Sequence, residues 1–357
     1  MKFLNAVNVS LALISILLIS IGVLVIYSSS PELALQQTIF TVVGLIGFFL
    51  ISRFEVKFAG RLSIPLYLLI IAMLLLVLLL GIETRGSVRW IPLGIFNIQP
   101  SEFAKPVLIL LLANFWSKKT PSWRNILKSF VLSMPFIFLV FRQPDLGSAL
   151  TISAIWIGML FACGISFKKI VILFLILLVT IPSSWHFLHD YQRHRITSFL
   201  SPESDPLGRG YNLIQSTIAV GSGELLGRGL GRGTQSRLQF LPEFRTDFIF
   251  ASIAEELGFI GSFIILLLYL ILFIFCIRLA AKTKNRFEFL IIFGVLSMLL
   301  FQFFVNVGMN MGLLPITGIT LPLISYGGSS LIATLFSIGM IASVTNSKIL
   351  ETDIYED

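Results

Sequence analysis

The sequence predicts an all-α polytopic membrane protein with about ten transmembrane helices, both termini in the cytoplasm, and one large folded extracytoplasmic loop. Three observations carry this prediction. First, the chain of 357 residues is 56% hydrophobic and 12% charged, with a mean hydropathy of +0.94, and a water-soluble domain has no core that could hold so much apolar surface. Second, the apolar residues are gathered in bilayer-length runs. Third, basic residues recur at alternate loops, as they do in membrane proteins.

Ten apolar runs, most of them within the roughly 17 to 25 residues that span a bilayer, can be drawn along the chain. The first run ends in a polar stretch without a signal-peptide cleavage pattern, so we expect it to be retained as a helix. We expect a single integral-membrane domain over residues 1–357. The predicted spans are 6–27, 34–52, 62–82, 100–117, 128–141, 147–166, 168–187, 247–278, 288–312 and 324–345.

Lysine and arginine indicate which side each loop faces. If the N-terminus is cytoplasmic, every inward loop is basic, as the positive-inside rule requires. The outward segments then contain arginine but no lysine. Because a guanidinium grips phosphate oxygens through two parallel hydrogen bonds, this face favours an anionic substrate with phosphate geometry. The alternative is that the arginines snorkel or pair with nearby carboxylates.

A polar stretch at about 187–246 separates the seventh and eighth spans. Connections this long are uncommon in compact chains and are usually either functional or disordered. Apolar residues such as Tyr211, Leu213 and Ile218 give the stretch anchors that a solvated linker lacks. We therefore expect a folded cap beside a membrane-embedded site.

Ionisable residues near the start of the fourth span are candidate functional groups. Arg89 and Trp90 are expected at the outer interface, and Ser101 and Glu102 follow at a helix start. Helix capping alone could explain the last two. Lys105 lies three residues beyond Glu102, so the two can pair, but a lysine inside a membrane helix is costly and is a functional candidate by default.

Two further segments place polar residues at membrane depth. Asp145 is predicted at the outer end of a helix, and Asn306 and Asn310 share one face of another. Prolines and small residues, Ser329 among them, follow over 311–331. Irregular backbone at this depth is tolerated only beside protein or water, so a polar cavity open to the outside is expected. Helix packing through small residues would explain the glycines but not the prolines.

Six ordered blocks resemble the SEDS family of cell-wall proteins (shape, elongation, division and sporulation) over nearly the whole chain. The chain is more similar to the elongation branch, RodA, than to the division branch, FtsW. Where that family usually has a histidine before TDFIFA, this chain has Arg245. The blocks are GSVRWIPLG with IQPSEFAK, QPDLGSAL, SPESDPLGRGYNLIQSTIAVGSG, GRGTQSRLQFLPE, TDFIFASIAEELGFIG and LPITGITLPLISYGGSSL.

The resemblance implies a peptidoglycan glycosyltransferase in the bacterial cytoplasmic membrane, with its active site facing outward. It implies polymerisation of lipid II, a disaccharide-pentapeptide on undecaprenyl diphosphate, beside a class B penicillin-binding protein and membrane lipid, and no nucleic-acid partner. No cofactor is required, no metal ligands are assigned, and a divalent cation is left open. The candidate substrate-binding residues are Arg89, Trp90, Glu102, Lys105, Asp145, Arg193, Arg195, Gln215, Gln239, Arg245 and Ser329.

Two other function classes remain as alternatives. A lipid II transporter would need polar residues across the whole bilayer depth and, typically, an internal repeat, and we find no convincing repeat. A non-catalytic scaffold would need no buried ionisable groups, yet Glu102, Lys105, Asp247, Glu255 and Glu256 are present. An enzyme is therefore preferred.

Asp247 is the predicted catalytic base, because it lies where the long loop enters its helix. Glu255 lies on the same predicted helix, but eight residues put it about 12 Å deeper. Alternatively, Asp247 only caps the helix, whose dipole favours a carboxylate there. That dipole and Arg245 would lower the pKa of Asp247, and burial in a cavity would have to offset them.

Overall fold

The computed structural model describes residues 6–80, 89–92, 97–184, 190–208, 210–238 and 240–354. Ten long helices in these ranges correspond to the ten predicted spans. Three shorter helices lie between the seventh and eighth long helices. The long helices are α1 (Ala6–Ser29), α2 (Pro31–Arg53), α3 (Val56–Leu80), α4 (Pro100–Ser117), α5 (Trp123–Arg142), α6 (Leu146–Ala162), α7 (Phe167–Ser184), α11 (Ile249–Lys282), α12 (Arg286–Asn310) and α13 (Gly328–Ile354).

The helices have the dimensions of a multi-pass membrane protein. In the described ranges, seven of them, α1, α2, α3, α5, α11, α12 and α13, are long and apolar enough to cross a bilayer. Helices α4, α6 and α7 have 18, 17 and 18 residues. Helix α5 begins at Trp123, earlier than its apolar run, because the Ser122 side chain caps it by accepting a hydrogen bond from the Asn125 amide.

Helix α11 is interrupted at Gly258, a break that hydropathy did not predict. Gly258 has φ +67° and ψ −164°, a backbone conformation open essentially only to glycine. The segment 224–229 of the long loop fills the gap. The amides of Phe259 and Ile260 donate to carbonyls of this segment, and the carbonyls of Glu255 and Glu256 accept from its amides. These four backbone groups at the break are therefore paired, as burial in a membrane demands.

The long loop is folded, as predicted. It contains α8 (Asp190–Leu200), a 3₁₀ turn (Pro202–Ser204), α9 (Tyr211–Ser222) and α10 (Thr234–Arg237). Helix α9 packs on α11 and α12. A small apolar core joins the loop to the first turn of α11, which anchors the loop over one end of the bundle. Its buried members are Ala219, Leu241, Phe244, Phe248 and Ala251.

The segment 311–327 between α12 and α13 is not helical, which confirms the irregular backbone expected from its prolines. Hydrogen bonds join this segment to the residues before α11. The Ser325 hydroxyl donates to the Thr246 carbonyl over 2.6 Å, and the Tyr326 amide donates to the Arg245 carbonyl. Two short strands, β1 (Ile91–Pro92) and β2 (Asn97–Ile98), pair antiparallel before α4.

Candidate functional site

A polar cavity of about 750 Å³ opens at one end of the bundle. The N-terminal parts of α2, α4, α6 and α13 meet there with the C-terminal half of α12, residues 241–247 and the turn 317–320. Eight predicted site residues line it: Arg89, Trp90, Glu102, Lys105, Asp145, Arg195, Arg245 and Asp247.

Asp247 lies at the cavity just before α11 and is partly buried. It does not cap that helix, because the N-cap position is Phe248 and no side chain caps the helix there. The capping alternative is therefore not what the structure shows. The turn at Gly318, which has φ +75°, runs beside both Asp247 and the guanidinium of Arg195.

Burial raises the pKa of Asp247 from 3.8 to about 6. The carboxylates of Glu243 and Asp145 act in the same direction, whereas Arg195 and a hydrogen bond from Thr246 lower the pKa. Desolvation disfavours the charged form of a carboxyl and is the largest of these effects. The cation that lowers the pKa of Asp247 is thus Arg195 rather than the neighbouring Arg245. Burial raises this pKa by more than Arg195 lowers it.

Two buried asparagines of α12 hold the backbone of Asp247. The side-chain amides of Asn306 and Asn310 both donate to its carbonyl, over 2.9 and 3.0 Å. Asn306 also donates to the carbonyl of Ile319, and Asn310 accepts from the Ala251 amide. This pair therefore fixes the start of α11 against the turn at 317–320. The sequence placed the asparagines on one face but did not predict that they hold Asp247.

Glu102 and Lys105 form a buried ion pair of 2.7 Å, as the spacing predicted. Asp145 is the N-cap of α6 and accepts from the Ser148 amide. Its second oxygen accepts from Gln99 and from the hydroxyl of Ser101. Ser101 thus binds a neighbouring helix end instead of capping its own.

The predicted arginines have different surroundings. Arg89 donates to the carbonyls of Gln143 and Pro144 and so braces the α5–α6 turn from within the cavity. Arg245 donates to the side chain and carbonyl of Ser29 and lies 4.4 Å from the centre of the Phe244 ring. Arg245 therefore ties the loop to the end of α1.

Of the predicted binding residues that the structure describes, three are not among those that line the cavity. Arg193 is on α8 and Gln215 is on α9. Ser329 joins α13 to β2, since its hydroxyl accepts from the Gln99 amide and donates to the Asn97 carbonyl, whereas its neighbour Ser330 lines the cavity. Gln239 lies outside the described residues. The substrate roles of all four stay predictions.

The buried carboxylates of α11 have structural partners away from the cavity. Glu255 accepts from the Gln235 and Ser236 amides at the start of α10 and also from hydroxyls of Thr234 and Ser236. Glu256 accepts from the hydroxyl of Ser28 on α1. Within the described ranges, no group of three His, Cys, Asp or Glu residues could hold a metal ion.

Known proteins are similar to this chain over most of its length. The family model for cell cycle proteins, FtsW/RodA/SpoVE, matches residues 3–349. Peptidoglycan glycosyltransferase MrdB of Escherichia coli (strain K12) is 43% identical over 293 residues, which is 81% of this chain and 79% of that protein. Stage V sporulation protein E of Bacillus subtilis is 38% identical over 359 residues, which is 94% of this chain and 96% of that one.

Two solved structures have the same architecture. A chain of a peptidoglycan synthase complex that coordinates polymerization and crosslinking is 34% identical, with a TM-score of 0.82 and coverage of 95% of this chain and 97% of that one. The rod shape determining protein RodA of Thermus thermophilus is 29% identical, with a TM-score of 0.72 and coverage of 94% and 96%. The chain therefore belongs to the FtsW/RodA/SpoVE family, the SEDS family that its sequence blocks resemble.

Proposed function

We propose that this protein is a peptidoglycan glycosyltransferase that polymerises lipid II at the outer face of the bacterial cytoplasmic membrane, with Asp247 as general base. The observation that carries the proposal is Asp247 itself. It lines a polar cavity at one end of the bundle, with its pKa raised to about 6 and arginine close by. A base is most effective when its pKa lies near the working pH.

The reaction needs one base and one anionic leaving group. The 4-hydroxyl of an acceptor GlcNAc attacks the anomeric carbon of a donor MurNAc, and its proton passes to the Asp247 carboxylate. The bond from that carbon to the diphosphate oxygen breaks, and undecaprenyl diphosphate leaves with the electron pair from the opposite face, which inverts the linkage to β. Diphosphate is already a good leaving group, so the paired carboxylates of a glycosidase are not required.

Cationic side chains in the cavity wall suit this leaving group. Arg89, Lys105 and Arg195 line it, and the N-termini of α4 and α6 point their partial positive charges toward it. Guanidinium groups match phosphate oxygens in pairs. These groups would stabilise charge as it develops on the diphosphate, which is where electrostatic catalysis gains most.

The orientation is supported by the distribution of lysine. The helix ends away from the cavity carry basic clusters, including Lys118 and Lys119 after α4 and Lys168 and Lys169 in α7. The positive-inside rule assigns such ends to the cytoplasm, which leaves the cavity outside. A class B penicillin-binding protein is the proposed partner, since one solved relative belongs to a complex that both polymerises and crosslinks.

Transport of lipid II is less well supported than catalysis. The cavity is lined by the first turns of α4 and α6 and by the latter part of α12, all at one end of an antiparallel bundle. A transporter places its substrate site near the bilayer midplane between halves of the chain.

Purified protein supplied with lipid II, alone and with its transpeptidase partner, tests the proposal. We expect glycan strands from the wild type and a loss of about a hundred- to ten-thousandfold for Asp247→Asn. Glu203→Gln is the control, because Glu203 is in the same loop, exposed and away from the cavity, and it should retain activity. Wild-type polymerisation by Asp247→Asn would remove Asp247 from the mechanism.

A further inference from the structure

An apolar groove of about 380 Å³ lies between α4 and α5, at the end of the bundle opposite the cavity. The last turn of α4 and the first half of α5 form its wall. Leu127 and Val131 are one helical turn apart on the same face, and they are 63% and 59% exposed. The residues that line the groove are Phe115, Leu127, Lys128, Val131 and Leu132.

Basic side chains surround the outer end of this groove. Arg124 precedes Lys128 by one turn on the same face of α5, and both are exposed. Lys169 donates a hydrogen bond to the Pro121 carbonyl, which brings the start of α7 to the turn between α4 and α5. Together these residues form a cluster that we call the α4–α5 basic cluster. Its members are Lys118, Lys119, Arg124, Lys128, Lys168 and Lys169.

The α4–α5 basic cluster has no acidic residue in its own part of the sequence. The chain contains no Asp or Glu between Glu102 and Asp145, or between Asp145 and Asp190, and the first two of these three line the cavity at the other end. The other two long inward loops mix their signs, since Glu55 lies between α2 and α3 and Glu288 lies in the first turn of α12.

Membrane topology alone does not account for this segregation of charge. Acidic residues contribute little to the positive-inside rule, so that rule does not require their exclusion from the cluster. An uncompensated group of cations beside an apolar groove is complementary to a molecule with an anionic head and an apolar tail. Basic pockets between helices on the cytoplasmic side of a membrane bind the head groups of anionic lipids.

We propose that the groove and the α4–α5 basic cluster bind one anionic phospholipid of the cytoplasmic leaflet. An acyl chain lies in the groove against Leu127 and Val131, and the phosphate lies against Arg124 and Lys128. The order of these groups along α5 matches the polarity of the lipid, with the outermost cation followed by the apolar positions. Trp123 is 44% exposed beside them, and tryptophan is enriched at the level of lipid head groups.

This inference goes beyond the proposed function and depends on it only for the orientation of the bundle. None of the cavity residues takes part, and no covalent step is involved. Binding therefore does not require the protein to polymerise lipid II. A protein that binds the phospholipid but makes no glycan would refute the proposed function alone, whereas one that makes glycan without binding it would refute only this inference.

The test compares two lipids that share their acyl chains and their phosphate but differ in net charge. Purified full-length protein in neutral detergent is titrated with dioleoyl phosphatidylglycerol or dioleoyl phosphatidylcholine, and native mass spectrometry counts the lipids that are bound. Each basic side chain close to an anionic lipid contributes about fivefold to its binding. With two such contacts, the wild type should prefer the anionic lipid by about tenfold or more.

Two variants separate the head-group contacts from the groove. Arg124→Gln combined with Lys128→Gln should weaken binding of phosphatidylglycerol by about tenfold or more, with little effect on phosphatidylcholine. Val131→Trp keeps all the cations but fills the groove. It should weaken binding of both lipids by about tenfold, because about ten carbon–carbon contacts with the chain are lost.

Arg278→Gln combined with Lys284→Gln is the matched control. Both residues are exposed at the cytoplasmic ends of α11 and α12, so this variant loses the same charge away from the groove. It should bind phosphatidylglycerol as the wild type does. An equal loss in this control would show that only the net charge of the protein attracts the lipid, and the proposed site would be refuted.

Three other results would also overturn the inference. They are equal binding of the two lipids by the wild type, an unchanged preference when Arg124 and Lys128 are both replaced, and unchanged binding by Val131→Trp. Equal binding by the wild type would instead favour an acidic protein segment as the occupant of the surface. If the double variant does not fold, Lys128→Gln alone takes its place with an expected loss of about fivefold, and failure of both to fold would assign these cations a structural role.

Discussion

The ionisation of Asp247 predicts how activity depends on pH. A general base must be deprotonated to act, and burial raises its pKa from 3.8 to about 6. The profile of kcat/KM reports the pKa of groups in the free enzyme. The rate should therefore be near its maximum above pH 7 and should fall as the pH drops through 6.

The size of the effect follows from the ionised fraction. With a pKa of about 6, about 90% of the carboxyl is ionised at pH 7 and about 10% at pH 5, a loss of roughly tenfold in kcat/KM. An aspartate with the ordinary value of 3.8 would lose only about 6% over the same range. Initial rates of lipid II polymerisation between pH 4.5 and 8 distinguish the two cases.

Two substitutions should move this profile in opposite directions. Glu243 raises the pKa of Asp247, so Glu243→Gln should shift the acid limb to lower pH. Arg195 lowers that pKa, so Arg195→Gln should shift the limb to higher pH, and it should also weaken binding of the diphosphate. A profile that stays flat down to pH 4.5, or acid limbs that coincide in all three proteins, would refute the assignment of Asp247 as base.

Four further outcomes are expected. Asp247→Asn should raise the melting temperature at pH 7.5, because it removes a charge that burial disfavours, and the difference should vanish as the pH falls from about 6 to below 3.8; a lower melting temperature would contradict this. Asn306→Leu should leave the Ile319 carbonyl unpaired at a cost of about 1–3 kcal/mol, while Asn310 still binds the Asp247 carbonyl, and it should reduce kcat; unchanged kcat would show that the backbone at Asp247 needs no support from Asn306. Gly258→Ala should prevent stable insertion, because its Cβ would lie 2.2 Å from the Gly227 amide nitrogen, whereas Gly221→Ala meets nothing within 4 Å and should be tolerated. A cysteine at Ser201 should react with an impermeant reagent in intact cells, and labelling only after permeabilisation would reverse the proposed orientation.

The helices could be predicted because apolar runs of bilayer length have few other uses. Their ends were harder to predict. Trp123 to Lys128 is helical although polar, and the break at Gly258 lies within an apolar run. Only the three-dimensional structure shows that segment 224–229 supplies the hydrogen-bond partners that allow this break inside a membrane.

The cavity was predicted in outline but not in all its residues. Charged residues such as Lys105 and Asp247 were found because burying a charge in a membrane is costly without a function. Ser329 was assigned to the site, whereas its neighbour Ser330 lines it. Adjacent helical positions differ by about 100° in direction, and the sequence alone does not show which of them faces the cavity. Gln302 of α12 also lines the cavity and was not predicted, since one uncharged polar residue in an apolar helix gives little signal.

Asp247 differs from two other carboxylates of the protein in what its hydrogen-bond partners hold. Asp145 accepts hydrogen bonds from Ser148, Gln99 and Ser101, and Glu255 accepts four around the start of α10. In both cases the donors bind the carboxylate oxygens themselves, so the side chain holds a helix end in place. At Asp247 the asparagines of α12 bind the backbone carbonyl instead. The backbone at Asp247 is thereby held in place, while burial raises the pKa of its carboxyl to about 6 against the opposing effects of Arg195 and Thr246, as the proposed role of general base requires.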